Sequence, residues 1–234
     1  MIYQFTALTA AALASFASAA PVEPRVQSCV SGLYMIVARG TYEARGQGKT
    51  GEVAKLVAAQ VPGSVSVAVD YPASAFGGGP IYPESVTEGI IDTKQRIQNY
   101  VDSCGDKSRI VLMGFSQGAN VITDTLAGGI LKPSPLSAEY GKYIVAVTVF
   151  GDPAFAAGQS YDYGSNADGP DEGIFTRSDN KSSMQLLSNY SNVLASYCDQ
   201  GDRYCASGAS STVHGAVVAR HAEEAADFIV SRAS

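Results

Sequence analysis

The chain is poor in charge, in histidine and in basic clusters. Only 16% of its 234 residues are charged against 46% hydrophobic. Disorder needs the reverse balance, so it is excluded for most of the chain. No run of Lys or Arg occurs, and 16 basic against 22 acidic side chains give a net charge of −6. Nucleic acid and an anionic membrane surface are therefore not expected partners. Two His and no Cys/His cluster argue against a zinc site, and no metal or cofactor is expected. Charge is wholly missing from residues 1–20, where an apolar run over 5–16 leads into Ala17-Ser18-Ala19. That A-x-A ending reads as a signal peptide over residues 1–19, too short for a span of ~20 residues. Residues 20–28 then read as an N-terminal extension or pro-segment. The mature chain is expected to be secreted and extracellular, where cystines persist. Its four Cys allow three pairings. Asn180-Lys181-Ser182 and Asn189-Tyr190-Ser191 are glycosylation sequons or chance matches in a Ser-rich chain.

What is present is an alternation of two patterns. Continuous apolar runs occur at 33–38, 65–69, 110–113, 143–150 and 192–197. Continuous rather than alternating character predicts strands buried on both faces, as in a parallel sheet. Between them lie helical stripes. Residues 52–61 place Val53, Leu56 and Val57 together, and residues 85–101 place Val86, Ile90, Ile97 and Val101 together. Residues 117–126 and 215–232 are two further helices, the last with Val217, Val218, Ala225, Phe228 and Ile229 inward. Strand–helix alternation predicts one α/β domain over 29–234, its sheet covered on both sides. The Gly/Asp-rich stretch 160–173 reads as a surface loop.

Two glycine motifs compete for the chemistry. Gly46-Gln47-Gly48-Lys49-Thr50-Gly51 spells G-x-G-x-x-G, with Asp70 nineteen residues beyond. It lies too far past the strand ending at Ala38 for the tight turn a dinucleotide needs, and a secreted chain meets little dinucleotide. Gly114-Phe115-Ser116-Gln117-Gly118 spells G-x-S-x-G, directly after a strand and opening a helix. That is the nucleophile-elbow setting, in which a strained turn lifts a serine hydroxyl above the sheet. The plainer alternative is Ser116 as an ordinary N-cap. A serine nucleophile needs a base, and of the two His, His214 lies in a polar loop before the last helix while His221 lies inside it. Loops carry catalytic groups, so His214 is preferred. For the acid, Cys198 to Cys205 looks like a small closed loop holding Asp199 and Asp202. A cystine there would stabilise by about 2.5 kcal/mol and hold a carboxylate still.

Ala38-Arg39-Gly40-Thr41, the G-x-S-x-G elbow, Gly151-Asp152-Pro153 and Cys198…Gly201-Asp202-Arg203-Tyr204-Cys205 before His214 together resemble the cutinase and acetylxylan esterase superfamily. The resemblance runs from Cys29 to the last helix. It implies a three-layer α/β/α sandwich with a central five-stranded parallel sheet, and a nucleophile at Ser116, acid at Asp202 and base at His214. It also implies an oxyanion hole at Thr41 and Gln117, and cystines Cys29–Cys104 and Cys198–Cys205. On that reading the chain is a monomeric serine esterase, with no cofactor, acting on polymeric or small ester substrates. Only small and polar residues, 206–212, precede Val213 and His214, which suits acetyl or short acyl groups on a plant cell-wall polymer. Cutin and longer acyl esters are the alternative. A non-catalytic wall binder or elicitor is the remote one, opposed by the filled catalytic positions.

Overall fold

In the computed structural model, Met1, residues 28–76 and residues 79–233 are described. The expected signal peptide, apart from Met1, and the expected extension, apart from Ser28, lie outside the described residues. Among the described residues six strands form one all-parallel sheet: β1 (Tyr34–Ala38), β2 (Val65–Ala68), β3 (Ile110–Phe115), β4 (Ile144–Phe150), β5 (Asp162–Tyr163) and β6 (Leu194–Tyr197), in the order β2-β1-β3-β4-β6-β5. Five are the expected ones. The sixth, β5, lies within the stretch read as a loop, and two residues are too few to carry a periodicity.

Among the described residues six α-helices accompany the sheet: α1 (Gly51–Gln60), α2 (Tyr82–Cys104), α3 (Gln117–Ala127), α4 (Ala138–Gly141), α5 (Lys181–Ser188) and α6 (Ser211–Ser231). Strand alternation divides the core. Met35 and Val37 of β1 pack with Val53 and Val57 of α1 and with Val217 and Ile229 of α6. Tyr34 and Ile36 face the other way, onto Val86, Ile90 and Ile97 of α2 and Val121 and Ile122 of α3. Tyr34 stacks on Tyr100 with ring centroids 4.0 Å apart. The sheet is thus covered on both faces, as the continuous apolar runs predict. The exception is β2, whose Val65 is exposed because β2 is an edge strand at the end of the sheet.

Two helix starts differ from expectation by more than one residue. Helix α2 starts earlier, at Tyr82, because Pro83 loses nothing in the first turn and the Glu84 carboxylate accepts from Ile81 N at 3.3 Å. Helix α6 starts at Ser211, because the Ser210 hydroxyl accepts from Val213 N at 3.1 Å. His214 therefore lies in the first turn of α6 and not in the loop before it. Among the described residues, no helix is long and apolar enough to cross a membrane. The chain's order reverses between β1 and β3, and parallel sheets bind ligands beyond the carboxyl ends of strands at such a switch point. Ala38 leads there into Arg39-Gly40-Thr41, and Phe115 into Ser116.

Candidate active site

Ser116 joins β3 to α3 with φ 54° and ψ −118°, a left-handed conformation costly for any residue with a Cβ. The flanking glycines are what allow it. A Cβ at Gly114 would fall 2.4 Å from Gly118 O, and one at Gly118 would fall 2.2 Å from Ala38 O. Strand and helix approach too closely there for any side chain. The turn is pinned by Ser116 N donating to Phe150 O at 2.8 Å.

Facing Ser116 Oγ at 2.9 Å is His214 Nε2. The other ring nitrogen, Nδ1, lies 2.9 Å from Asp202 Oδ2 and 3.0 Å from Oδ1. Asp202 is fully buried. Its Oδ1 accepts from Tyr204 N at 2.7 Å and Cys205 N at 3.1 Å, so the cystine loop itself supplies its donors. Cys198 pairs with Cys205, and Cys29 with Cys104, as the family resemblance implies. The imidazole packs against two rings, Tyr204 at 4.5 Å and Phe115 at 4.9 Å between centroids. Gly151, at the end of β4, closes its edge: a Cβ there would fall 2.8 Å from His214 Cε1. Sequence reasoning did not assign Phe115, Tyr204 or Gly151 a part in the site. Gly151 stood in a quoted motif, but its role depends on an approach that no local pattern encodes.

The other two candidates are Gln117 and Thr41. Gln117 opens α3, where the first N–H groups have no partner within the helix. Its side chain is turned away: Oε1 accepts from Ser85 Oγ at 2.9 Å and Nε2 donates to Ser74 O at 2.9 Å. Thr41 lines the cleft in a turn closed by Glu43 N to Gly40 O at 3.2 Å. The buried Arg39 frames that turn, donating to Glu43 O at 3.0 Å and Tyr71 O at 2.7 Å. Burial pushes the Tyr71 hydroxyl up, with Arg39 opposing. Glu43 braces the other side, accepting from Gly40 N at 2.6 Å and Lys49 N at 3.1 Å. A Cβ at Gly48 would fall 2.1 Å from Glu43 Oε2, so the G-x-G-x-x-G glycine there accommodates a carboxylate.

A cleft of about 500 Å³ opens onto Ser116 and His214, walled by Tyr42, Phe76, Tyr82, Phe175 and Tyr204. Among the described residues no group of three or more His, Cys, Asp or Glu could hold a metal ion. Beneath the cleft Asp152 is fully buried, accepting from Thr123 Oγ1 at 2.8 Å and Ala154 N at 2.9 Å. Burial raises its carboxyl to about 6, opposed by the Arg177 charge and by these hydrogen bonds. His221 and Asp199 lie outside the cleft and meet each other, His221 Nε2 standing 3.1 Å from Asp199 Oδ1.

The sequence profile of the cutinase family matches residues 28–233. Acetylxylan esterase 2 of Talaromyces purpureogenus is 29% identical over 92% of this chain and 93% of its own length. Cutinase 11 of Verticillium dahliae is 30% identical over 98% of this chain and 77% of its own. The solved catalytic core domain of acetyl xylan esterase from Trichoderma reesei superposes with a TM-score of 0.78 at 29% identity, covering 88% of this chain and 100% of that one.

Proposed function

Since this chain belongs to the cutinase family, we propose that it is a secreted carboxylic ester hydrolase that removes acetyl or other short acyl groups from plant cell-wall polymers. The observation that carries the chemistry is the run Ser116 Oγ, His214 and Asp202, each step 2.9 Å, ending on a serine held at positive φ. His214 Nε2 takes the proton as Ser116 Oγ bonds to the ester carbonyl carbon. Asp202 keeps Nδ1 as the donor and stabilises the imidazolium. The carbonyl oxygen turns to the N–H groups of Gln117 and Thr41, each such donor being worth roughly 10²–10³ in rate. The carbonyl reforms as the alcohol leaves with the proton from His214. Water, deprotonated by the same nitrogen, then attacks the acyl-serine and releases the acid.

Short acyl groups are favoured by the small residues 206–212 before His214 and by the acetylxylan esterases among the relatives. Longer acyl chains are the second reading, supported by the exposed Phe76 at the cleft and by the cutinase relative. The two cystines support an extracellular setting. Ser116→Ala is expected to abolish fluorophosphonate labelling and lower turnover by roughly four to six orders of magnitude with folding intact. Residual activity above a few per cent would mean another nucleophile. Rates on p-nitrophenyl acetate against p-nitrophenyl laurate, then on acetylated xylan against cutin, separate the two substrate readings.

A further inference from the structure

A second hollow, of about 550 Å³, shares Tyr82, Ile174 and Phe175 with the cleft of Ser116. The Tyr82 and Phe175 rings stand 5.4 Å apart and form the ridge between the two spaces. Both volumes fall within the ~300–1,000 Å³ of ligand sites. The two hollows therefore adjoin across the ridge.

The lip and the floor of that groove differ in chemistry. The lip is apolar and exposed: Ile130 is 79% exposed, Leu131 98% and Phe175 54%. Leu131 holds φ 54°, unfavourable for a bulky residue, and it stands on the groove wall. The buried floor is polar, with Asn120, Asp124 and Arg177. Arg177 Nη2 pairs with Asp124 Oδ1 at 2.8 Å, and Nη1 donates to Gly128 O and Ser183 Oγ, each at 2.8 Å. Burial raises the Asp124 carboxyl, with Arg177 opposing. Tyr82 Oη donates to Asn120 Oδ1 at 3.2 Å, which ties the ridge to the floor.

We infer that this groove is a subsite for a neutral, hydroxylated polymer chain, holding sugar units adjacent to the one whose ester reaches Ser116. This rests on the reading of the chain as an esterase of acylated polysaccharides. An alkyl chain laid there would cover the remaining exposed edges of the Arg177–Asp124 pair and of the Asn120 amide and offer them no hydrogen-bonding group. An anion is not selected either, because Asp124 offsets Arg177. Sugar rings supply what both surfaces need: hydroxyl edges for the floor and C–H faces for the aromatic ridge and aliphatic lip.

Trimming the lip tests this. In Ile130→Ala/Leu131→Gly both positions are exposed and glycine suits the positive φ. Each rate is normalised to p-nitrophenyl acetate turnover, which reports the active fraction. The wild type should cleave acetylated xylotetraose about tenfold more efficiently than acetylated xylose, through contacts remote from the reacting bond. The double variant should lose most of that gain. By calorimetry, unacetylated xylohexaose should bind the wild type and bind the variant about fivefold more weakly. An undiminished chain-length gain in the variant overturns the subsite, as does xylohexaose that binds neither protein. A variant slowed on p-nitrophenyl laurate but unaltered on saccharides overturns it too, by giving the groove to an acyl chain. If no acetylated saccharide is cleaved while xylohexaose binding still depends on the lip, the subsite stands and the reading as an esterase of acylated polysaccharides fails.

Discussion

Helix α6 carries two His–Asp pairs, and only one of them faces a serine. His214 and His221 are seven residues apart, so they share one side of the helix. Each meets an aspartate from the same cystine loop, His214 with Asp202 at 2.9 Å and His221 with Asp199 at 3.1 Å. Both aspartates are buried. The difference lies at the far ring nitrogen: His214 finds Ser116 Oγ at 2.9 Å, His221 finds Glu224 Oε2 at 3.3 Å. A His–Asp pair becomes a relay only where a third element delivers a nucleophile, and the β3–α3 turn delivers one. The second pair is a structural joint. Asp199 also accepts from Ser165 N at 3.0 Å and from Arg220, tying the end of β6 to α6 and to the segment after β5. Burial pushes the Asp199 carboxyl up, but Ser165, His221 and Arg220 outweigh it and hold it below the usual range.

The comparison breaks most visibly in turnover. His214→Ala and Asp202→Asn should each lower kcat by about 10⁴, and adding Ser116→Ala to either should cost little more, because the three act as one unit. His221→Ala should leave kcat within about twofold; an inactive, folded His221→Ala with an active His214→Ala would exchange the two roles.

The cystines sharpen the same contrast. Opening Cys198–Cys205 removes the scaffold that aims two N–H groups at Asp202, so Cys198→Ser/Cys205→Ser should cut turnover per folded molecule about tenfold or more. Its short loop limits the stability cost to about 2.5 kcal/mol. Opening Cys29–Cys104, which spans 75 positions, should cost about 4.5 kcal/mol and leave turnover per folded molecule near normal. Thermal melts beside active-site titration check both.

Asp199→Asn should act on stability alone, costing about 1–2 kcal/mol at neutral pH, because it weakens the bonds to Ser165 and His221 while the Arg220 end of the pair is half exposed and screened by solvent. Because the native carboxyl is held low, that contribution is present above the unfolded value and is lost as pH falls through the folded one. Melts of wild type and variant should therefore converge in acid. A second buried carboxylate has the opposite sign. Asp152 is raised to about 6, so its contribution is full below its unfolded value near 3.9 and is lost as pH rises through about 6, on the order of 3 kcal/mol. Asp152→Asn should flatten the fall in melting temperature between pH 4 and 7.

Strands buried on both faces were legible because their apolar runs are continuous, and the elbow because strand, glycines and serine are contiguous in sequence. Ser116, His214 and Asp202 were legible as residues through motif and resemblance; their distances were not. What escaped depends on partners far away in the chain. β5 exists only because β6 supplies its ladder, through Asp162 opposite Ser196. The helical start at Ser211 turns on one serine cap inside a Gly/Ser stretch that reads as loop. The cleft wall joins Tyr42, Tyr82, Phe175 and Tyr204 from four separate segments, and no spacing rule links them. Gly151 became interpretable only once His214 stood against it.

The long cystine has a consequence for chain continuity. Cys29–Cys104 encloses β1, α1, β2, α2 and the segment 69–76, whose Phe76 stands exposed at the cleft. A protease cut beside Phe76 leaves the two pieces covalently joined through sulfur. Such a nicked molecule runs as one band until it is reduced, and β1 keeps its hydrogen bonds to β3 across the break in the backbone.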